Sequence, residues 1–79
     1  MKMDKKSKKA DQIGNLYRAA LYLAKDDVDQ AIRFISSNPY LPNPPYHPYQ
    51  IEELKAEPKT RLKFAEKLLD LYKLQLRLP

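Results

Sequence analysis

The sequence predicts an all-α fold, and three observations support this class. Apolar residues recur at intervals of three and four in separate stretches of the chain, which is the period of an amphipathic helix. The chain has one glycine and seven prolines, so it lacks the glycines that tight β-hairpin turns require. Its composition, 43% hydrophobic and 32% charged, is typical of a globular protein rather than a disordered one. We expect a small bundle with three parts: a helical hairpin, a Pro- and Tyr-rich segment of polyproline II type, and an amphipathic C-terminal helix.

The length of 79 residues allows one domain with a small core. Such a chain is marginally stable unless a disulfide, a metal or a second subunit supports it. There is no cysteine and His47 is the one histidine, which excludes disulfides and the usual Cys/His zinc sites. Oligomerisation is therefore the expected source of additional stability.

Residues 1–9 differ in charge from the rest of the chain. They hold five lysines and Asp4, a net charge of +4 out of the +5 of the whole sequence. Because this stretch has no apolar periodicity, we expect a disordered basic tail followed by a single helical domain over residues 10–79. No apolar run of signal-peptide or membrane-spanning length follows, so a cytoplasmic location without membrane contact is expected.

The spacing predicts a first helix over residues 10–25 and a second over residues 27–37. Asp27 followed by Gln30 resembles a capping box, which marks the start of the second helix. Pro39 disfavours helical geometry in the residue before it and so ends that helix. One continuous helix with an acidic kink is the alternative, because neither glycine nor proline separates the two stretches. The first helix has its apolar face at Ile13, Leu16, Tyr17, Ala20, Leu21 and Ala24.

Residues 15–38 resemble a single tetratricopeptide (TPR) unit. Ala19 and Ala31 are twelve residues apart, with Tyr22 at the aromatic position and Ile35 at the later apolar position. The resemblance implies a TPR-like helix pair, which in that family serves protein binding. A generic helical hairpin explains the same residues. The sequence departs from the motif, which has tryptophan, leucine, alanine and proline, at Asn15, Arg18, Asn38 and Asn43.

The C-terminal helix is predicted over residues 58–77, with Pro58 at the first position, where its missing amide costs nothing. Its apolar side chains cover an arc of about 200°, which is wider than one neighbouring element can shield. We therefore expect a second contact, made either by the Pro/Tyr segment or by the same helix of a second copy. Self-association is assigned to the residues with heptad-like spacing, namely Leu62, Ala65, Leu69, Tyr72 and Leu76.

Residues 38–49 form the Pro/Tyr segment, in which a proline recurs at every third position from residue 39 to residue 48. Polyproline II has three residues per turn, so these prolines are expected on one edge of an extended chain and Tyr40, Tyr46 and Tyr49 on another. Twelve such residues extend about 37 Å, enough to lie along a 20-residue helix of about 30 Å.

The proline spacing and the following helix are similar to the pancreatic-polypeptide family, which implies this packing and no activity. Residues 50–56 are expected to form a helical turn that reverses the chain. Three roles remain open for the Pro/Tyr segment: packing against the helices, an exposed ligand for a proline-binding domain, or an ordinary loop. Its tyrosines are accordingly packing or partner-facing aromatics.

The sequence contains no recognisable catalytic arrangement. The acidic clusters, at residues 26–29 and 52–57, lie at predicted helix starts, where negative charge is favourable without any catalytic role. A single glycine rules out a glycine-rich phosphate loop. We expect no enzyme activity, no cofactor, no metal and no small-molecule substrate.

The expected function is a small protein-protein interaction module, such as an adaptor, regulator or accessory subunit, that self-associates as a dimer through its C-terminal helix or binds another protein. The alternative is a nucleic-acid-associated accessory protein, since the tail and the C-terminal helix are both basic. Glu66 and Asp70 lie among the basic residues of that helix, where they oppose phosphate binding. The residues assigned to phosphate contacts are Lys5, Lys6, Lys8, Lys9, Lys63 and Lys67.

Overall fold

A computed structural model describes residues 5–77 of the chain, with side chains from residue 9 onward. Within this range there are four helices: α1 (Lys5–Ala24), α2 (Val28–Ile35), α3 (Ile51–Ala56) and α4 (Pro58–Arg77). The described part of the chain has no strand, and its helices pack against one another, so the all-α fold class is confirmed. None of these helices combines the length and the apolar character needed to cross a bilayer.

The first helix begins at Lys5 instead of Ala10. The prediction of a disordered tail is therefore wrong for residues 5–9, while residues 1–4 lie outside the described part of the chain. Lysine is a good helix former, and extending an existing helix adds one hydrogen bond per residue without a new nucleation step. Apolar periodicity marks the part of a helix that packs against the core, so it does not show where the helix starts.

The turn between α1 and α2 forms the predicted hairpin and excludes the single kinked helix. The Asp27 amide donates to the Tyr22 carbonyl at 2.8 Å and the Asp26 amide to the Leu23 carbonyl at 3.1 Å, which is a Schellman ending of α1. Asp26 has a φ of 64°, a left-handed conformation that aspartate tolerates better than most residues. The Asp27 carboxylate accepts a hydrogen bond from the Gln30 amide at 3.2 Å, so the predicted N-cap is confirmed.

The helices α1 and α4 lie antiparallel and enclose the core together with α2 and α3. The rings of Tyr17 and Tyr72 are 5.3 Å apart, whereas Asp26, after the end of α1, pairs with Arg61 near the start of α4. The α1 helix also packs along α2, so it is the central element of the bundle. The buried cluster consists of Leu16, Ala19, Ala20, Leu23, Val28, Ala31, Ile35, Leu54, Phe64, Ala65 and Leu68.

Arg61 fastens three elements to one another. Its Nη1 donates to the Leu54 carbonyl at 3.0 Å and to the Lys55 carbonyl at 2.7 Å, and its Nη2 lies 2.9 Å from the Asp26 carboxylate. Carbonyls near the end of a helix lack partners within that helix, and the guanidinium supplies them for α3. Because its side chain is only 11% exposed, Arg61 is part of the fold and does not belong to a solvated basic face.

The Pro/Tyr segment is a series of turns, which corrects the prediction of a polyproline II chain. The His47 amide donates to the Pro44 carbonyl at 3.1 Å, and the Tyr49 amide donates to the Tyr46 carbonyl at 2.8 Å. Polyproline II has no such internal bonds. Two X-Pro peptide bonds in the segment are cis. Proline fixes φ but leaves ψ free, so a three-residue proline register does not by itself keep the chain straight.

The turns bring side chains of this segment onto the core. Pro45 is buried, and Leu41, Tyr46 and Tyr49 pack against the buried cluster. The Tyr49 ring lies 5.9 Å from the ring of Phe64 in α4. Burial of aromatic side chains from a short segment is favourable, and the segment bends to achieve it instead of lying along α4.

Candidate functional site

Among the described residues, three leucines form an apolar row along one edge of α4. Leu62 is 56% exposed and Leu76 is 61% exposed, and half-buried Leu69 lies midway between them. A spacing of seven residues is close to two helical turns, so the three side chains lie on the same side of the helix. We call these three residues the leucine row.

The predicted heptad seam is divided between the core and the surface. Ala65 is buried, and Tyr72 is partly buried and packed against the core, as is Leu69. The seam is thus partly occupied by the chain's own α1, whose Tyr17 ring lies tilted against the ring of Tyr72. The leucine row lies along the edge of the seam that is farther from the contact between Tyr17 and Tyr72.

Helix α1 supplies exposed apolar side chains of its own, at Tyr17 and Leu21. These two residues are one turn apart and lie about 100° and 140° around α1 from the fully buried Leu16. The contact between Tyr17 and Tyr72 shows that this edge of α1 borders α4. The α1/α4 face is defined by Tyr17, Leu21, Leu62, Leu69, Tyr72 and Leu76.

The apolar spacing of the first helix places Tyr17 and Leu21 in its stripe but does not separate the edge of the stripe from its centre. Which residues lie at the edge depends on which side of α1 is covered by α2 and which by α4. Local spacing does not show how these helices are placed. The one available signal was the width of the stripe. It suggests an edge residue but not the neighbour beside it.

A row of charges borders the leucine row on the side away from α1. Glu66 and Lys73 lie about 50° around α4 from the leucine row, whereas Tyr72 lies about 50° to the other side. Both charged residues are exposed, and neither forms a salt bridge with another side chain of residues 9–77. On one side the leucine row therefore borders apolar side chains of α1. On the other side it borders one negative and one positive side chain of α4.

The predicted phosphate contacts fall on different surfaces. Lys63 and Lys67 are exposed on the outer side of α4, about one turn apart and away from the leucine row. Lys9 is exposed on α1. Phosphate binding by these residues stays a prediction. The remaining three, whose backbone lies in α1 and whose side chains lie outside the described part, are Lys5, Lys6 and Lys8.

The three tyrosines of the Pro/Tyr segment do not form a separate row. Tyr46 and Tyr49 pack against the core, and the Tyr40 backbone amide donates to the Asn38 carboxamide oxygen at 2.9 Å. Asn38 is buried, and its nitrogen donates to the Gln12 carbonyl at 2.8 Å, which joins the end of α2 to α1. Tyr46 and Tyr49 thus contribute to intrachain packing, whereas Tyr40 lies beside the turn that Asn38 holds.

One polar cleft of about 280 Å³ lies between α1 and the end of α2. Several of its polar groups are already used: Asn15 accepts from Arg18, Ser36 donates to a backbone carbonyl, and Asn38 is bonded on both sides. Its other lining side chains include Arg33 and Phe34, and no carboxylate lines it. The cleft therefore offers no acid-base pair.

Comparison with known proteins gave no relative of this chain: no protein-family model, no curated protein and no solved structure matches it.

Proposed function

We propose that this protein is a small non-enzymatic protein-protein interaction module that self-associates as a homodimer through the α1/α4 face. The observation that carries the proposal is the exposure of Leu62 and Leu76 on either side of Leu69, along a single edge of α4. Large apolar side chains in a continuous row, bordered by polar residues, mark a surface that another protein covers.

The energetics favour such an association. Removing apolar surface from water stabilises a complex by about 25 cal/mol per Å², and leucine and tyrosine side chains contribute large areas. The monomer has neither disulfides nor a large core, so a hydrophobic core shared between two copies would add to its stability. A second copy carries the same apolar face, which makes a self-complementary contact available without a further component.

The likeness of the α1 and α2 hairpin to a TPR unit agrees with a role as an adaptor, regulator or accessory subunit. The small residues Ala19 and Ala31 are both fully buried, so the two helices approach closely where that motif also has small side chains. This likeness supports protein binding in general. The α1/α4 face supplies the surface that would perform it.

The nucleic-acid alternative has weaker support. Lys63 and Lys67 are exposed, but Glu66 lies between them in sequence and Asp70 lies one turn from each of Glu66 and Lys67 on the same outer surface. A phosphate backbone approaching this part of α4 would meet both signs of charge. An apolar contact through the opposite edge of the helix meets no such opposition.

The test is the oligomeric state of two matched charge substitutions. Leu62→Glu and Leu76→Glu place a carboxylate on the proposed contact, so each should weaken the dimer by more than about tenfold, because a buried, unpaired charge is costly. Leu74→Glu is the control, since Leu74 is 50% exposed in the same helix but about 140° from Leu69. Sedimentation equilibrium would measure all three against the unchanged protein.

We expect the unchanged protein and the Leu74→Glu variant to sediment at twice the 9.3 kDa monomer mass. The Leu62→Glu and Leu76→Glu variants should sediment as folded monomers, with helical circular dichroism spectra unchanged. A monomer at every concentration of the unchanged protein would overturn the proposal. Equal weakening by all three substitutions would also overturn it, because the α1/α4 face would then have no special role.

A further inference from the structure

We propose that the two copies pair through their α4 helices in antiparallel orientation, with Leu69 at the twofold axis and Glu66 of each copy opposite Lys73 of the other. This inference rests on the self-association proposed above and specifies its geometry. It comes from three features of the α1/α4 face: the symmetry of the leucine row, the order of the charges beside it, and the side on which α1 lies.

The leucine row is symmetric about its centre. Leu62 lies seven residues before Leu69, and Leu76 lies seven residues after it. Reversing the direction of the helix about Leu69 therefore superimposes the row on itself. In an antiparallel pair, Leu62 of one copy meets Leu76 of the other, and the two copies of Leu69 meet on the axis. Of the described leucines, these two are the most exposed, and each is covered by the other.

The same reversal of the helix brings opposite charges beside the leucine row to nearly the same level. Glu66 lies three residues before Leu69 and Lys73 lies four residues after it, so in the reversed helix they come within one residue of each other's level. One residue is about 1.5 Å along the helix, well within the reach of these long side chains. The twofold axis repeats the contact, so each dimer contains two Glu66–Lys73 pairs.

The position of α1 agrees with this arrangement. In an antiparallel helix pair, the twofold axis brings each flank of the helix against the same flank of its partner. The charged flank of α4 meets the charged flank, and the flank carrying Tyr17 and Leu21 meets its own copy. Apolar side chains thus contact apolar side chains on one side of the leucine row, and opposite charges meet on the other.

A parallel pair lacks this complementarity. A twofold axis that runs along two parallel helices brings opposite flanks together, so the flank carrying Glu66 and Lys73 in each copy would face the apolar flank of the other. The parallel pair would also leave Glu66 and Lys73 of each chain without an opposite charge in the other copy. The antiparallel pair is therefore the orientation that both the leucines and the charges favour.

The test is a mixing experiment with two opposite charge reversals, Glu66→Lys and Lys73→Glu. Each variant alone would bring two pairs of like charges together, and we expect its dimer to be about tenfold weaker than the unchanged one. An equimolar mixture restores an attractive pair at both positions, and its dimer should return to within about threefold of the unchanged affinity. Sedimentation equilibrium of each variant and of the mixture measures this.

A control pair separates the local contact from the attraction between oppositely charged proteins. Asp70→Lys and Lys63→Glu change the net charge by the same amounts, but both positions lie about 100° around α4 from the leucine row. Both residues are exposed. We expect neither control to weaken the dimer by more than about threefold, and mixing them to give no comparable gain.

The outcomes distinguish the geometry from the self-association on which it rests. A preference for mixed dimers with Glu66→Lys and Lys73→Glu, absent from the control pair, supports the antiparallel contact. If the unchanged protein dimerises but the two mixtures behave alike, the antiparallel pairing is overturned while self-association stands. If the unchanged protein is monomeric, both proposals are overturned.

Discussion

The two halves of α4 have similar apolar content but different surroundings. Residues 58–68 contain all the buried side chains of the helix, namely Phe64, Ala65 and Leu68. Residues 69–77 contain none, although four leucines and a tyrosine occur there. The first half is covered by α3 and the Pro/Tyr segment as well as by α1, through contacts such as Tyr49 to Phe64.

The difference shows that the apolar stripe of α4 is longer than the core against which the helix packs. A hydrophobic stripe that ends where the core ends would need no partner. In α4 the stripe continues for two turns past the last buried residue, Leu68, to the exposed Leu76. The second half therefore has apolar surface that the described fold leaves in contact with solvent, and this surface is the basis of the proposed dimer.

The largest expected effect is in the first half, on truncation of Leu68. Its side chain is fully buried, so Leu68→Ala should lower the free energy of unfolding by about 2–5 kcal/mol through lost burial and a residual cavity. Urea denaturation followed by circular dichroism would measure the change. Leu74→Ala in the second half is the matched control, with an expected change below about 0.5 kcal/mol. Equal losses would mean that the two halves are covered alike.

An intermediate effect is expected at Arg61, which holds the first half against α3 and the end of α1. Arg61→Met keeps much of the side-chain volume but removes its bonds to the Leu54 and Lys55 carbonyls and to Asp26, so we expect a loss of about 1–3 kcal/mol. Thermal and urea unfolding would measure it.

The control for Arg61 is Asp26→Asn, which removes the charge of the partner alone. The Asp26 side chain is 74% exposed, so its ion pair with Arg61 contributes little, and asparagine also tolerates the left-handed backbone. The Asp26→Asn variant should keep nearly the stability of the unchanged protein. A loss as large as that of Arg61→Met would show that the ion pair, and not the two carbonyl bonds, fastens α4.

The helices were largely predictable from local sequence, because caps and periodicity are local properties. Asp27 with Gln30 marked the hairpin, and Pro58 stands at the first residue of α4. The start of α1 at Lys5 was not predictable from apolar spacing, since a helix can extend past the core it packs on.

The Pro/Tyr segment was predicted wrongly, and the role of Arg61 was not predictable, for a different physical reason. Regular proline spacing constrains φ at each proline, but the direction of the chain depends on ψ and on which side chains the core can bury. Arg61 interrupted the apolar arc of α4, and its role depends on carbonyls in α3 and on Asp26. Both features depend on contacts between distant parts of the sequence. The residues of the α1/α4 face were not predictable for the same reason, since the face brings together Tyr17 and Tyr72, which are 55 residues apart in the chain.

The smallest expected effect on monomer stability is in the second half, at the end of the leucine row. Leu76 is 61% exposed, so Leu76→Ala, studied in dilute monomer, should change the free energy of unfolding by less than about 0.5 kcal/mol. At higher concentration the same substitution should lower the midpoint of thermal unfolding, because dimerisation stabilises the folded state in proportion to its strength. Unfolding followed by circular dichroism over a range of protein concentrations measures both. A loss above 1.4 kcal/mol in the monomer, a tenfold change in the folding equilibrium, would place Leu76 in the core and remove the contrast between the two halves of α4.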